Sequence, residues 1–305
     1  MLLGGLITAG PGWPWVFFIN IPVGLIVLAG LLWVLPPLPP GAGPRPSLDI
    51  LGALLVTAAT GSAIYALTVA GETGWTSPQT LITAAAAVVL YLLFGWRQKT
   101  ATSPLMNLGL LTRRPVTAGV FVILIATALM VAVFFLGTFY FQQFAGHGPL
   151  TTGLLFLPIA LATMTGANLG GRLIARLGAR TLGAAGMLIA AIGLMVPALW
   201  TTTVATTIGI SFGAFGIGAL FVVAAATALG QIGPEEAGIA SGLLSTFHEF
   251  GASVGVATVS SIAALSLATD GGTAGFQQAF TAAAIAAVVA AAISTIAIPR
   301  QPART

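Results

Sequence analysis

Of 305 residues only 16 are charged, ten Lys or Arg and six Asp or Glu, which is 5% of the chain against about 25% in soluble domains. With 57% hydrophobic residues and a mean hydropathy of +1.05, too few charges remain to cover a hydrated surface, so a soluble fold is excluded and a lipid bilayer is the expected solvent. Cysteine is absent, which removes disulfide scaffolds, thiolate metal sites and cysteine nucleophiles together.

A bilayer core of about 30 Å needs about 20 mostly apolar residues per helix. Nine stretches meet that length, at residues 13–35, 48–70, 78–96, 116–144, 151–171, 181–200, 204–230, 237–267 and 275–298. Turn-forming or charged residues separate them: the proline-rich run 36–41, Gly71-Glu72-Thr73-Gly74, Arg113-Arg114-Pro115, Gly146-His147-Gly148-Pro149, Gly233-Pro234-Glu235-Glu236 and Asp270-Gly271-Gly272. The stretches are continuous rather than alternating and rich in Ala, Leu and Gly, so helices are expected rather than barrel strands. The fold class is therefore an all-α, polytopic integral membrane protein.

Nine alternating spans assign every connection to one of two sides. All ten basic residues then share one side: Arg45; Arg97, Lys99, Arg113 and Arg114; Arg172, Arg176 and Arg180; Arg300 and Arg304. The positive-inside rule makes that side, and the C-terminus with it, cytoplasmic. The same use of the cations leaves the net charge of +4 no claim on nucleic acid. Trp13, Trp15, Trp33, Trp75, Trp96 and Trp200 fall near span ends, where an interfacial belt places them. Met1-Leu2-Leu3-Gly4-Gly5 lacks the positive n-region of a signal peptide and falls on the outer side, so the chain reads as starting in the middle of a longer protein.

Three local motifs are informative. Gly4-Gly5-Leu6 precedes Trp13-Pro14-Trp15-Val16-Phe17-Phe18-Ile19-Asn20-Ile21-Pro22-Val23-Gly24. Gly171-Arg172-Leu173-Ile174-Ala175-Arg176-Leu177-Gly178-Ala179-Arg180 follows the fifth span. Glu235-Glu236-Ala237-Gly238-Ile239-Ala240-Ser241-Gly242 leads to Thr246-Phe247-His248-Glu249-Phe250-Gly251. Together they resemble the fourteen-span drug:proton antiporters, the EmrB/QacA-like branch of the major facilitator superfamily. In that family W-R-W-I-F-x-I-N-x-P-I-G follows the antiporter motif G-P-x-x-G-G, and a G-x-L-x-D-R-x-G-R loop recurs. Pro14 stands where the family usually has Arg, and Ala175 where the loop often has an acid.

The resemblance implies the major facilitator fold, with the nine spans as the sixth to fourteenth of fourteen and the chain truncated at its N-terminus. Residues 1–35 would then close the N-terminal six-helix half, 36–114 would be an inserted two-helix pair with a cytoplasmic linker, and 115–305 the C-terminal six-helix bundle and tail. Gly4 and Gly5 would be the remnant of the antiporter motif, and Gly171, Arg172, Arg176, Gly178 and Arg180 a cytoplasmic gate loop, against a purely topological role for its charges. The fourth span would be a cavity helix. Phe135, Phe139 and Tyr140, with Gln142 and Gln143, suit lipophilic or cationic substrates, although such rings also suit lipid or neighbouring helices.

Glu249 is the one carboxylate expected deep inside a span. An ionised group at mid-bilayer costs about 2.5–3.5 kcal/mol on insertion scales, so it faces protein or water, or is protonated. Ser241, Ser245, Glu249 and Ser253 recur at i+4 and place four polar groups on one helix face. Gly238, Gly242, Gly251 and Gly255 are spaced for close helix contact. Two readings stand for Glu249: proton coupling or cation binding, tuned by His248, or a protonated group hydrogen-bonded to another helix. Asn168 likewise suits a cavity wall or an interhelical hydrogen bond. Arg113-Arg114 is read as topogenic, Asp49 as a helix-start residue and Glu72 as a solvated loop residue.

The function so implied is proton-coupled export of hydrophobic or amphipathic drugs or metabolites across the cell membrane, driven by the proton gradient with neither cofactor nor metal. The partners would be lipid, small hydrophobic or cationic substrates and protons, with the missing N-terminal helices or another chain needed. The alternative is a non-transporting remnant of such a carrier. An intramembrane enzyme lacks a nucleophile or metal set, and there is no P-loop for ATP-driven pumping.

Overall fold

Residues 2–34, 49–230, 232–268 and 272–299 are described by a computed structural model of the protein. Arg45, Asp270, Arg300, Arg304 and the separator 36–41 lie outside the described residues. The described elements are all helical: α1 (Leu2–Ala9), α2 (Trp15–Phe18), α3 (Asn20–Val34), α4 (Ile50–Thr73), α5 (Pro78–Thr100), α6 (Arg114–Phe139), α7 (Pro149–Leu155), α8 (Leu157–Leu199), α9 (Thr203–Leu229), α10 (Pro234–Ala268) and α11 (Ala274–Ala297). Seven stretches among the described residues are long and apolar enough to cross a membrane; one of them, Pro149–Leu199, takes in two of the nine expected spans on either side of Gly178, and α10 coincides with the eighth.

Local chemistry sets the helix boundaries. Asp49, Ser77 and Thr202 cap α4, α5 and α9, each side-chain oxygen accepting a backbone N–H three residues on. Pro22 has no N–H to donate to the Phe18 carbonyl, and the first expected span accordingly breaks between α2 and α3. The expected loop at 172–180 is a correction. Its Ala, Leu and Arg residues continue α8 as helix up to Gly178, which alone turns non-helical (φ 78°, ψ 154°). Good helix formers sustain the helix there, and only the residue without a Cβ can make the bend.

Helices α6, α8, α9, α10 and α11 form the main bundle: α8 packs along α9, α11 on α8, α10 on α6, and α6 on α9. Small residues allow these close approaches. The Gly193 carbonyl lies 2.7 Å from where a Cβ on Gly209 would sit, and the Ala128 carbonyl lies 2.7 Å from a Cβ on Gly255. The apolar core fills the same bundle, with Phe141, Phe156, Phe276 and Phe280 among its largest fully buried side chains.

Helices α4 and α5 pair with each other and join the bundle through α10. At one end of this pair Asp49, with a side chain only 1% exposed, accepts from the Gly52 N–H, Arg97 Nε and Gln98 Nε2, each at 3.0 Å. The Gly52 amide, then the Arg97 guanidinium and Gln98, hold its carboxyl below the usual carboxylate range against the opposing effect of burial. Asp49 is thus a helix cap, as expected, and also the hub of a charged network. Helix α1 packs on α7, whereas α3 has no buried residue.

Candidate substrate and proton site

Glu249 lies near the middle of α10 with a side chain 66% exposed. Helix α10 meets α6 through Gly251 and Gly255, which press on the Leu124 and Ala128 carbonyls, and it meets α4 through Ala257 and Ser260. Ser241, Ser245 and Glu249 are all exposed, and Ser253 is half-buried on the same stripe. The i+4 series therefore lies on one face that the bundle leaves uncovered. Gly238 and Gly242, expected to pack, instead face open space, so only two of the four glycines make helix contact.

His248 reaches Glu249 although their helix directions differ by about 100°: Nδ1 stands 3.3 Å from Oε1. The imidazole also lies against Phe221, with ring centroids 6.2 Å apart. No other helix among the described residues supplies Glu249 with a hydrogen bond or ion pair. The Ser253 hydroxyl donates to the Glu249 backbone carbonyl at 3.0 Å.

The aromatic run of α6 divides between core and surface. A single π-turn, Tyr140–Phe144, follows α6, with Ala145 N–H bonded to the Tyr140 carbonyl at 2.8 Å. Its extra residue rotates the run. Tyr140 and Phe141 are buried, while Gln142, Gln143 and Phe144 are exposed. Tyr140 donates its hydroxyl to the Thr201 carbonyl at 2.8 Å, which places it in the packing between α6 and the start of α9. Phe135 and Phe139 are half-buried, with centroids 4.7 Å apart.

Two clefts gather the expected residues. One, of about 550 Å³, brings Gly4 and Gly5 of α1 together with Gln142, Thr138, Asn20, Thr152 and Phe156. Gly5 is required there, because a Cβ would stand 2.8 Å from the Pro149 carbonyl of α7. The other, of about 400 Å³, joins Phe135 and Ser253 to Thr68, Glu72 and Ser260 between α4, α6 and α10. Neither includes Glu249, Tyr140 or Asn168. The Asn168 amide bonds back to the Met164 carbonyl of its own helix at 2.9 Å, on an exposed face. Arg172 and Arg176 project exposed from α8, and Arg180 is half-buried beyond the Gly178 break.

The family model of the Major Facilitator Superfamily matches residues 1–256. The chain belongs to the major facilitator superfamily. Its multi-pass helical architecture is that of a membrane transporter superfamily rather than of an enzyme. It is 33% identical over 267 residues to the tetracenomycin C resistance and export protein of Streptomyces glaucescens, across 85% of this chain and 48% of that protein. It is 29% identical over 264 residues to the multidrug resistance protein Stp of Mycobacterium tuberculosis (86% and 49%). It is 32% identical over 270 residues to the cephamycin export protein CmcT of Amycolatopsis lactamdurans (85% and 54%). The chain spans about half the length of these curated relatives.

Within this superfamily member, sequence reasoning placed Glu72 in a solvated loop, yet it belongs to the last turn of α4 and lines the smaller cleft. The available signal was Thr68, four residues earlier on the same face. What the sequence lacked was the identity of the helix opposite.

Proposed function

We propose that the chain is the proton- and substrate-handling part of a secondary carrier that exports hydrophobic or amphipathic drugs or metabolites across the cell membrane in exchange for protons. The observation that carries this reading is the uncovered stripe of Ser241, Ser245, Glu249 and Ser253 midway along the 35-residue α10. A carboxylate inside the span expected at 237–267 is stable only against water, protein or a bound proton. A cavity wall that alternately binds proton and substrate satisfies all three conditions in turn. Relatives named as export and resistance proteins support the same reading.

In this scheme residues 36–114 are an inserted pair beside a C-terminal six-helix bundle, and the arginine-bearing end and C-terminus face the cytoplasm. The α1–α7 contact at Gly5 joins the first half to the second, and the Gly171–Arg180 segment acts at the cytoplasmic gate. No cofactor is required, since the proton gradient supplies the driving force. The test is ethidium transport driven by a pH gradient in proteoliposomes of the chain. Wild type is expected to accumulate ethidium, whereas E249Q moves it only downhill. Uphill accumulation by E249Q at the wild-type level rules out the coupling role.

The uncovered faces of α3 and α10 favour a second reading, in which transport needs further helices from a longer chain or a second polypeptide. Major facilitator carriers work by two halves moving about a midplane site. Transport absent from the chain alone and gained on coexpression with the N-terminal half of a relative supports that reading. Transport in neither condition marks a non-transporting remnant.

A further inference from the structure

We infer that the groove between α6 and α11 holds one acyl chain of an anionic phospholipid, with Arg114 binding its phosphate. The site is separate from both clefts described above and stands whether or not the chain moves protons.

Two rows of α11 shape the groove. Ala282, Ala286 and Ala290 recur at i+4 and leave a floor without bulk, while Ile285, Val289 and Ile293, also at i+4, stand beside it as an exposed ridge. Phe121 and Ile125, one turn apart on α6, form the opposite wall. The space between them is about 480 Å³, and every side chain lining it is apolar. By helix rise the run from Ala282 to Ile293 is about 16 Å long, about the depth of one leaflet of a hydrocarbon core of about 30 Å.

Arg114 stands at one end of this groove. Spacings of i+7 to Phe121 and i+11 to Ile125 put all three on one face of α6. Its guanidinium crosses to α11, where Nε donates to the Ala297 carbonyl at 3.3 Å and Nη2 to the Ile296 carbonyl, one turn beyond Ile293. Both partners are neutral, and they use two of the five N–H donors of a guanidinium. The nearby carboxylate of Glu236 pairs with Arg113 instead, and no carboxylate pairs with Arg114 among the described residues. Arg114 is exposed, so its charge and its outward donors are open to an anion. A lipid phosphate supplies that anion, and the chain bonded to it enters the groove directly. An apolar spanning helix would cover the alanine floor but bring no anion to Arg114. A free phosphate would pair with Arg114 but leave the groove unfilled.

Native mass spectrometry of the full chain in detergent, with dioleoylphosphatidylglycerol and dioleoylphosphatidylcholine at equal concentration, tests the site. Wild type is expected to retain one phosphatidylglycerol about fivefold more tightly than phosphatidylcholine, the worth of one basic side chain at an anionic surface. R114Q is expected to bring the two lipids to parity, and R114K to keep most of the preference. Because Arg114 also ties α6 to α11, A286F supplies a variant that leaves the cation in place. A ring on the groove floor is expected to displace the lipid while the melting temperature holds. Phosphatidylglycerol with a diazirine in its acyl chain is expected to label peptides holding residues 121–125 and 282–293. An undiminished preference in R114Q, or retention by A286F at the wild-type level, overturns the proposal. So does equal thermal stabilisation by glycerol 3-phosphate, which would assign Arg114 to a free anion. Disulfide-linked dimers of V289C, in a chain with no other cysteine, would place a second copy on α11 and overturn it as well.

Discussion

Arg113 and Glu236 form a two-pronged ion pair between the first turns of α6 and α10, with nitrogen–oxygen distances of 2.8 and 3.5 Å. The adjacent Arg114 donates to the Ala297 carbonyl at 3.3 Å and to the Ile296 carbonyl, at the end of α11. Two neighbouring arginines thus tie three helix ends together. The orphan carbonyls that close α11 receive a cation, which suits both their hydrogen-bonding need and the helix dipole. The topogenic reading of Arg113-Arg114 accounts for their sign and side; the pairing gives them a structural role as well.

Both members of the Arg113–Glu236 pair keep substantial exposure, so their coupling is modest. A double-mutant cycle with R113A, E236A and the double variant is expected to give about 0.2–1 kcal/mol of interaction energy. Thermal unfolding in detergent at low salt measures it. Additive single effects would show that the pair contributes nothing beyond its separate contacts.

Asp49 predicts a pH dependence of opposite character, because its carboxylate is enclosed and its pKa is lowered. A carboxyl whose folded pKa lies below its unfolded value stabilises the fold above the unfolded value, near 3.9. That contribution is lost as pH falls through the lowered folded pKa. The melting temperature of wild type is therefore expected to drop more steeply below about pH 4 than that of D49N, which keeps a cap acceptor but no charge. Parallel pH profiles of the two proteins would remove the network from the stability of the α4–α5 pair.

The fold class was legible because lipid admits only helices or a closed barrel, and the apolar stretches are continuous rather than alternating, which leaves helices. The stripe of Ser241, Ser245, Glu249 and Ser253 was legible because i+4 spacing fixes a shared face whatever lies opposite. What lies opposite was not legible. Gly238 and Gly242 repeat the spacing of Gly251 and Gly255, yet only the latter pair meets α6. Glu72 and Ser253, or Gly5 and Gln142, come together only through helix neighbours that no local pattern encodes. Tyr140 is buried against the Thr201 carbonyl, a contact from the distant start of α9 that no local pattern encodes, and the segment before Gly178 became helix because its residues favour helix.

Gly178 itself carries the next expectation. Its φ of 78° with ψ of 154° lies in a region almost closed to residues with a Cβ, at a cost of about 1–3 kcal/mol. Nothing lies within 4 Å of the position a Cβ would take, so backbone strain is the only penalty for alanine. G178A is expected to lose about that amount in chemical denaturation, or to straighten the helix there. Distance measurements between spin labels at Arg172 and Leu188 distinguish the two. Unchanged stability together with an unchanged distance would show that the bend needs no glycine.

The glycines of α10 separate packing from spacing in a single helix. A Cβ on Gly255 would stand 2.7 Å from the Ala128 carbonyl oxygen and 2.9 Å from Ala128 Cα, which are backbone atoms that cannot rotate away. G255V must therefore push α10 off α6, and overpacking of this kind costs about 1–3 kcal/mol. A Cβ on Gly242 meets nothing within 4 Å, and G242V is expected to stay within about 0.5 kcal/mol of wild type. Valine has the same helix propensity at both sites, so the difference between the two variants isolates the α6–α10 contact from any intrinsic effect on the helix. Thermal unfolding in one detergent compares them directly. If G242V is as damaging as G255V, the exposed stripe of α10 is not open but covered, and the same result would place a partner helix over Glu249.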